Sequence, residues 1–241
     1  MAANPKTLRI VGARALGAAT RALEIECVGG PPLAAIGGKY VIVHTGAMAG
    51  DKPIKRAYSL VSVGGHAHRA QLTVKRLGAG SDALHAAAVG TELSFSGPWG
   101  KLVPESGLDE PTLLVATDTG ITAAMGVAEE HARSARGCVE VLWLRTDDET
   151  FLDVEDVRQR VNAAGAHFVY ATIPPVRSIE RVAAAWSHID GRVAELRATI
   201  LIASGDGAII HGLRDRMVGA ASSVRDVRIE CFFHNPEKKS A

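Results

Sequence analysis

Leu113-Leu114-Val115-Ala116-Thr117-Asp118-Thr119-Gly120-Ile121-Thr122 is the stretch at which the pattern of the chain changes. Leu113–Ala116 is an apolar run that reads as a buried strand. A polar turn follows, and then a helical stretch over Ile121–Arg133. The same grammar continues to the end of the chain. Val139–Leu144, Phe168–Thr172, Thr199–Ala203 and Arg228–Phe233 read as strands, and Val154–Ala163, Ile179–Trp186 and Ile209–Val218 as helices. Strands alternating with helices predict a parallel sheet with helices on both faces. Such sheets bind ligands at the carboxyl ends of their strands.

Upstream the grammar differs. Thr7–Val11, Ala22–Val28, Tyr40–Thr45, Ala57–Val63, Ala70–Arg76 and Glu92–Gly97 alternate like strands, separated by turn clusters such as Gly37-Gly38 and Gly78-Ala79-Gly80. Short, closely spaced strands predict an antiparallel barrel or sandwich. One helix is predicted over Ser81–Ala88, capped by Ser81-Asp82 and ended at Gly90, and Gly97-Pro98-Trp99-Gly100 reads as a tight turn. The polar, proline-flanked segment Pro104–Pro111 marks a boundary, giving an antiparallel β domain over 1–105 and an α/β domain over 106–241.

Composition narrows the functional classes. The 241 residues are 47% hydrophobic and 22% charged, and the net charge of +1 offers no overall field for nucleic acid or a membrane surface. Cys27, Cys138 and Cys231 are scattered, which excludes a disulfide framework and a clustered thiolate metal site, and fits a cytoplasmic protein. Met1–Ile10 has no secretory pattern, and no apolar run approaches the roughly 20 residues of a membrane span. The nine histidines show no metal spacing; His66-Ala67-His68 reads as a solvated loop and Asp147-Asp148-Glu149 as a solvated helix start.

Three segments could carry chemistry. In Arg56-Ala57-Tyr58-Ser59, Arg56 and Tyr58 share one strand face and Ser59 the other. Together they could clamp a phosphate, stack on a flat ring and hydrogen-bond its edge; taken alone, the segment reads more readily as an ordinary strand with a solvated Arg. Leu72-Thr73-Val74-Lys75-Arg76 leads to Gly78-Ala79-Gly80-Ser81, which would put Gly80 and Ser81 at a helix N-terminus suited to a pyrophosphate, or to a simple glycine turn. In the third, Thr117–Thr122, Gly120 would let a ligand approach the backbone ahead of a helix dipole. It is not the G-x-G-x-x-G fingerprint of the common dehydrogenase fold.

In order and spacing, Arg56-x-Tyr58-Ser59, Val74-Lys75, Gly78-x-Gly80-Ser81, Gly97-Pro98-x-Gly100, Thr119-Gly120-Ile121-Thr122 and Glu230-Cys231-Phe232 resemble the ferredoxin–NADP reductase family over nearly the whole chain. The resemblance implies a flavin-binding barrel followed by a nucleotide-binding parallel domain. It implies flavin contacts from Arg56, Tyr58, Ser59, Thr73, Val74 and Lys75, with the Tyr58 ring stacked on the flavin and Ser59 near its N5. Gly80 and Ser81 would hold the flavin phosphates. Thr119, Gly120, Ile121, Thr122, Arg145, Gly205 and Asp206 would meet the dinucleotide. Ser204 and Glu230 would help place the nicotinamide, and Phe232, with Phe233 beside it, would cover the flavin; both aromatics could equally pack the last strand.

Three departures from the family pattern stand out. Thr117-Asp118 replaces glycine, so Asp118 is expected to turn away from a pyrophosphate and cap the helix. Ser204-Gly205 replaces Cys-Gly. No Ser-Arg pair for the extra phosphate of NADPH follows Tyr170-Ala171-Thr172; Arg177 and Arg181 are candidates for it or solvated positions. The implied cofactors are FAD, favoured over FMN by a pyrophosphate-type helix start, and NADH or NADPH, with NADH preferred. The implied reaction passes hydride to the flavin and electrons to a separate acceptor such as a ferredoxin. The rival reading is a non-catalytic flavin-binding module with a degenerate dinucleotide site.

Overall fold

Alternating apolar residues in the first hundred positions form an antiparallel sheet, and the left-handed glycines Gly38 and Gly50 sit in its turns. The computed structural model describes residues 6–30, 33, 37–63, 68–105, 107–148, 150–217 and 222–234. His66, Ala67, Glu149 and Val218 lie outside the described residues. The chain divides into two units: Met1–Gly100 with Thr150–Asp153, and Lys101–Glu149 with Val154–Ala241.

The first unit contains β1 (Lys6–Ala15), β2 (Thr20–Val28), β3 (Tyr40–Ala49), β4 (Lys52–Ser59), β5 (Val61–Ser62), β6 (Arg69–Lys75), α1 (Ala79–Ala86) and β7 (Glu92–Trp99). Their spatial order is β4-β3-β7-β1-β2-β6-β5. The two edges, β4 and β5, are separated in sequence by Leu60 alone. Two residue steps span at most about 7 Å, so the edges meet and the sheet closes as a barrel. Ala57–Val63 is therefore not one strand; Leu60, fully buried, is the corner. Alternate residues Leu8, Ile10, Leu23, Ile25, Val41, Val43, Leu72 and Val74 fill the interior.

Two local expectations are corrected. The N-cap of α1 is Gly78, not Ser81-Asp82. Ser81 lies inside the first turn, where its hydroxyl donates to Gly78 O (2.9 Å) and accepts from Leu77 N (2.8 Å). The helix ends at Ala86, with the Arg21 guanidinium on the carbonyls of His85 and Ala87, where a cation suits the dipole. Gly97-Pro98-Trp99-Gly100 is not a separate turn but the end of β7, with Trp99 paired to Tyr40.

The second unit contains β8 (Thr112–Thr117), α2 (Ile121–His131), β9 (Val139–Arg145), α3 (Val154–Ala163), β10 (His167–Thr172), α4 (Arg181–Leu196), β11 (Ile200–Asp206), α5 (Gly207–Ile210), α6 (Leu213–Met217) and β12 (Asp226–Phe233). The strands are parallel in the order β10-β9-β8-β11-β12. Winding runs outward in both directions from β8 and β11, so the switch point lies between their carboxyl ends. β8 and β11 are buried along their whole length, which is why they read as apolar runs.

Two helices differ from expectation. α4 starts at Arg181 and runs to Leu196, through Gly191, because Ala185, Ile189 and Val193 bury one face at helical spacing. Ile179 lies outside it and is almost fully exposed. The last helix is two short pieces, because the carbonyl of Ile209 accepts from the Trp186 indole N–H (3.0 Å) instead of from an amide one turn on.

At the amino end of the parallel sheet, Glu140 is buried between Arg192 (Nε 2.7 Å) and His167 (Nδ1 2.8 Å). Burial disfavours its charge, but hydrogen bonds and charge from Arg192 and His167 outweigh this and hold the carboxyl below its ordinary 4.5. A depressed carboxylate stabilises the fold fully above the unfolded value and stops doing so as pH falls through the folded one. Glu140→Gln should therefore cost about 2 kcal/mol near neutrality and flatten the loss of stability below pH ~4.5. Urea unfolding across that range measures both; parallel acid limbs in the two proteins would contradict the assignment.

Candidate functional site

In the barrel unit, β4 carries Arg56 and Tyr58 on one face and Ser59 on the other, as alternation requires. Arg56 is exposed, Tyr58 is partly buried against the barrel core, and Ser59 is buried. Burial pushes the Tyr58 phenol up to about 12, against the opposing charge of Arg56. The Tyr58 ring is therefore neutral at any working pH.

Gly80 explains how α1 reaches this strand. A Cβ there would lie 2.7 Å from Ile54 Cγ2 and 3.4 Å from both Arg56 Cγ and Thr45 Oγ1. Only a residue without a side chain lets the first turn of α1 lie flat on β3 and β4. The amides of Ala79, Gly80 and Ser81 precede the first intrahelical bond, Asp82 N to Gly78 O (2.9 Å). The structure thus brings the stem of Arg56 against a helix N-terminus, an arrangement suited to a phosphate. The Ser81 hydroxyl is committed to its own turn, so only its backbone N–H faces this role.

On β6 the side chains of Thr73 and Val74 are buried, and Thr73 accepts from Gln71 Nε2 (3.1 Å). Val74 can meet a ligand only through its backbone. Lys75 is partly exposed, and Arg76 is paired to Asp82 of α1 (2.9 Å). The Ser59 hydroxyl is buried without a hydrogen-bond partner. A buried orphan hydroxyl costs stability unless something satisfies it. With a neutral ring beside it and a phosphate-type turn near Arg56, the donor set fits a flat, polar-edged ring carrying a phosphate chain. FAD is such a molecule.

The second unit gathers its candidates at the switch point. Thr117–Gly120 leaves β8, and Ser204–Asp206 ends β11. Ser204 Oγ donates to Gly120 O (2.9 Å), and Thr117 Oγ1 accepts from Asp206 N (2.6 Å). A Cβ on Gly120 would sit 2.2 Å from Ser204 O, so this glycine is required by the packing of α2 against β11, beyond any ligand approach. Thr122 Oγ1 donates to Thr119 O (3.1 Å), and Ile121 is fully buried, leaving their backbone groups for a ligand. Arg145, at the carboxyl end of β9, lies over the Trp143 ring (5.0 Å).

Asp118 differs from expectation. It turns away from the helix start but does not cap it. Its backbone is left-handed (φ 50°), a conformation Asp tolerates better than most residues. Its carboxylate pairs with the Arg181 guanidinium, whose Nε also reaches Asp206 Oδ2 (3.1 Å) and whose Nη1 donates to Pro174 O (2.7 Å). Arg181 is 2% exposed, so it is neither solvated nor free to grip a phosphate. Asp206 is 1% exposed; besides Arg181 it holds Ala208 N (3.0 Å) and His234 Nδ1 (3.0 Å), so its side chain is unavailable to a cofactor. Arg181 was readable as special in one respect: a cation in the first turn of a helix opposes the dipole unless acids pair with it.

On the edge strand β12, Glu230 stands in register with Ser204, Phe232 is exposed and Phe233 partly buried. Glu230 lines a pocket of about 380 Å³ with Leu102, Arg214 and Arg228. Burial raises its carboxyl to about 7, so near neutrality it can either hold or yield a proton. Among the described residues there is no cluster of side chains able to hold a metal, and no helix long and apolar enough to cross a membrane.

Residues 20–103 match the family model described as oxidoreductase FAD-binding domain. The chain is 30% identical over 230 residues to ferredoxin–NADP reductase B of Sorangium cellulosum (strain So ce56), covering 90% of this chain and 89% of that protein. Its fold resembles that of ferredoxin–NADP+ reductase from Plasmodium falciparum (TM-score 0.70, 15% identity, 95% of this chain and 97% of that one). It also resembles part of full-length CYP116B46 from Tepidiphilus thermophilus (TM-score 0.67, 20% identity, 94% of this chain), of whose length it spans only 28%.

Glu230 gives a direct check on the electrostatics of the second unit. Its side-chain carboxyl, followed by carbon-13 NMR, should titrate with a midpoint near 7; a midpoint in the ordinary glutamate range would show that the group is solvated.

Proposed function

Since the chain belongs to the ferredoxin–NADP reductase family of flavin-dependent oxidoreductases, we propose that it takes hydride from NADH or NADPH and delivers electrons to a separate acceptor protein of the ferredoxin type. A bound FAD supplies the chemistry, accepting a hydride and releasing electrons one at a time. The protein supplies binding, orientation and electrostatics. We assign the antiparallel unit to the flavin and the parallel unit to the dinucleotide.

The observation that carries this reading is the buried, unpartnered Ser59 hydroxyl beside Tyr58, on the same strand as the Arg56 that lies against the α1 N-terminus. A flavin held here would take a hydrogen bond from the Ser59 hydroxyl and meet the neutral ring of Tyr58. Arg56 and the amides of Gly80 and Ser81 take the phosphates, while the backbone of Thr73 and Val74, with Lys75, lines the same site. In the parallel unit the amides of Thr119–Thr122 receive the dinucleotide phosphates, and Arg145 and Gly205 border them. Ser204 and Glu230 place the nicotinamide. The Ser204 proton is committed to Gly120 O, so its hydroxyl takes part as an acceptor. Phe232, exposed on β12, is the apolar cover, and Phe233 steadies it.

An aspartate at position 118 is compatible with a working dinucleotide site, because its carboxylate is turned onto Arg181. The burial of Arg181 also removes one candidate for the extra phosphate of NADPH, which supports a preference for NADH. The named Sorangium relative is a ferredoxin–NADP reductase, and that supports a ferredoxin as acceptor.

Tyr58→Ala and Ser59→Ala should each weaken FAD binding about tenfold, equivalent to ~1.4 kcal/mol, as read by fluorescence titration of the apoprotein. Unchanged affinity in both would move the flavin site elsewhere. Steady-state kinetics with ferricyanide as acceptor should give a higher kcat/KM for NADH than for NADPH.

A further inference from the structure

We propose that Arg181 is the positioning residue of the dinucleotide site: one buried guanidinium ties the turn after β8 to the end of β11 by pairing with Asp118 of the turn and Asp206 of the strand. The inference rests on the assignment of the parallel unit to NAD(P)H. Three other pieces of chain converge on it. Arg181 opens α4 and binds Asp118 of the β8 turn, Asp206 of β11 and the carbonyl of Pro174 beyond β10, while His234, after β12, binds Asp206 from the other side. Arg181, Asp118 and Asp206 are 2%, 6% and 1% exposed. Water does not screen them, so the guanidinium governs both charge and geometry.

The geometry follows from the backbone. Asp118 sits at φ 50°, which costs an L-residue energy that surrounding contacts must supply. Its pairing with Arg181 fixes that conformation and so aims the amides of Thr119–Thr122, which directly follow. Arg181 touches no reacting atom in this scheme; it acts through the turn.

Arg181→Lys and Asp118→Asn test this in the FAD-loaded protein. Lysine keeps a charge but cannot span both carboxylates, and asparagine tolerates the left-handed backbone while losing the ion pair. Both should raise the Kd for NAD+ tenfold or more by calorimetry. Both should speed amide exchange at Thr119–Thr122, with flavin content unchanged and kcat at saturating nucleotide within about threefold. A purely structural role would lower Tm and leave Kd unchanged at temperatures where the variants are folded; that result in either variant overturns the proposal. If Arg181→Lys does not fold, Asp118→Asn alone decides. Wild-type protein that binds neither NAD+ nor NADP+ would refute the dinucleotide assignment itself, a different failure from wild-type binding that the variants leave intact.

Discussion

The contact of Gly80 with Ile54 and the stem of Arg56 is the constraint on which the flavin half depends. A helix start offers a phosphate unpaired amides only where a ligand can reach them, and it is useful here because it lies on the strand that carries Arg56, Tyr58 and Ser59. The approach needs a missing side chain at position 80, and it needs β4 to end at the corner residue Leu60, where the barrel closes. Sequence order thus becomes spatial adjacency. The strand that carries Arg56 and the glycine turn at Gly80, more than twenty positions apart, are thereby packed together.

The parallel half obeys the same logic with different parts. Its switch point between β8 and β11 would suit a dinucleotide in any sheet of this order. The turn after β8 carries an aspartate in a strained backbone, and Ser204 of β11 spends its proton on the Gly120 carbonyl of that turn. Arg181 makes the aspartate tolerable. Replacing one member of such a buried ion group usually costs more than the group contributes over apolar packing, so these three residues are expected to change together or not at all.

Much of this was legible in the sequence, for identifiable reasons. β8 and β11, buried on both faces, announce themselves as apolar runs, and the barrel strands alternate. The Arg56–Ser59 segment was readable because a strand has a period of two, so side-chain directions follow from spacing alone. The failures are equally physical. α4 runs well past Trp186 and through Gly191, whose cost to a helix of roughly 1 kcal/mol is offset by burial of Ala185, Ile189 and Val193. The break after α5 depends on Trp186 taking a carbonyl 23 residues away. The partner of Asp118 lies 63 residues further along the chain, and no local pattern reports a pairing at that separation. Ser81 and Asp206 were read as ligand-facing from their motifs, yet their side chains are consumed by the turns they stabilise.

The proposed role requires a protein that holds a flavin and reduces it with a nicotinamide dinucleotide. The most direct measurement is the visible flavin absorbance of the purified protein, mixed with NADH in the absence of oxygen. The account predicts a yellow protein whose absorbance bleaches in proportion to NADH and returns when air or an oxidised ferredoxin is admitted. A protein that stays yellow with both NADH and NADPH, or that is colourless and does not take up added FAD, would contradict it.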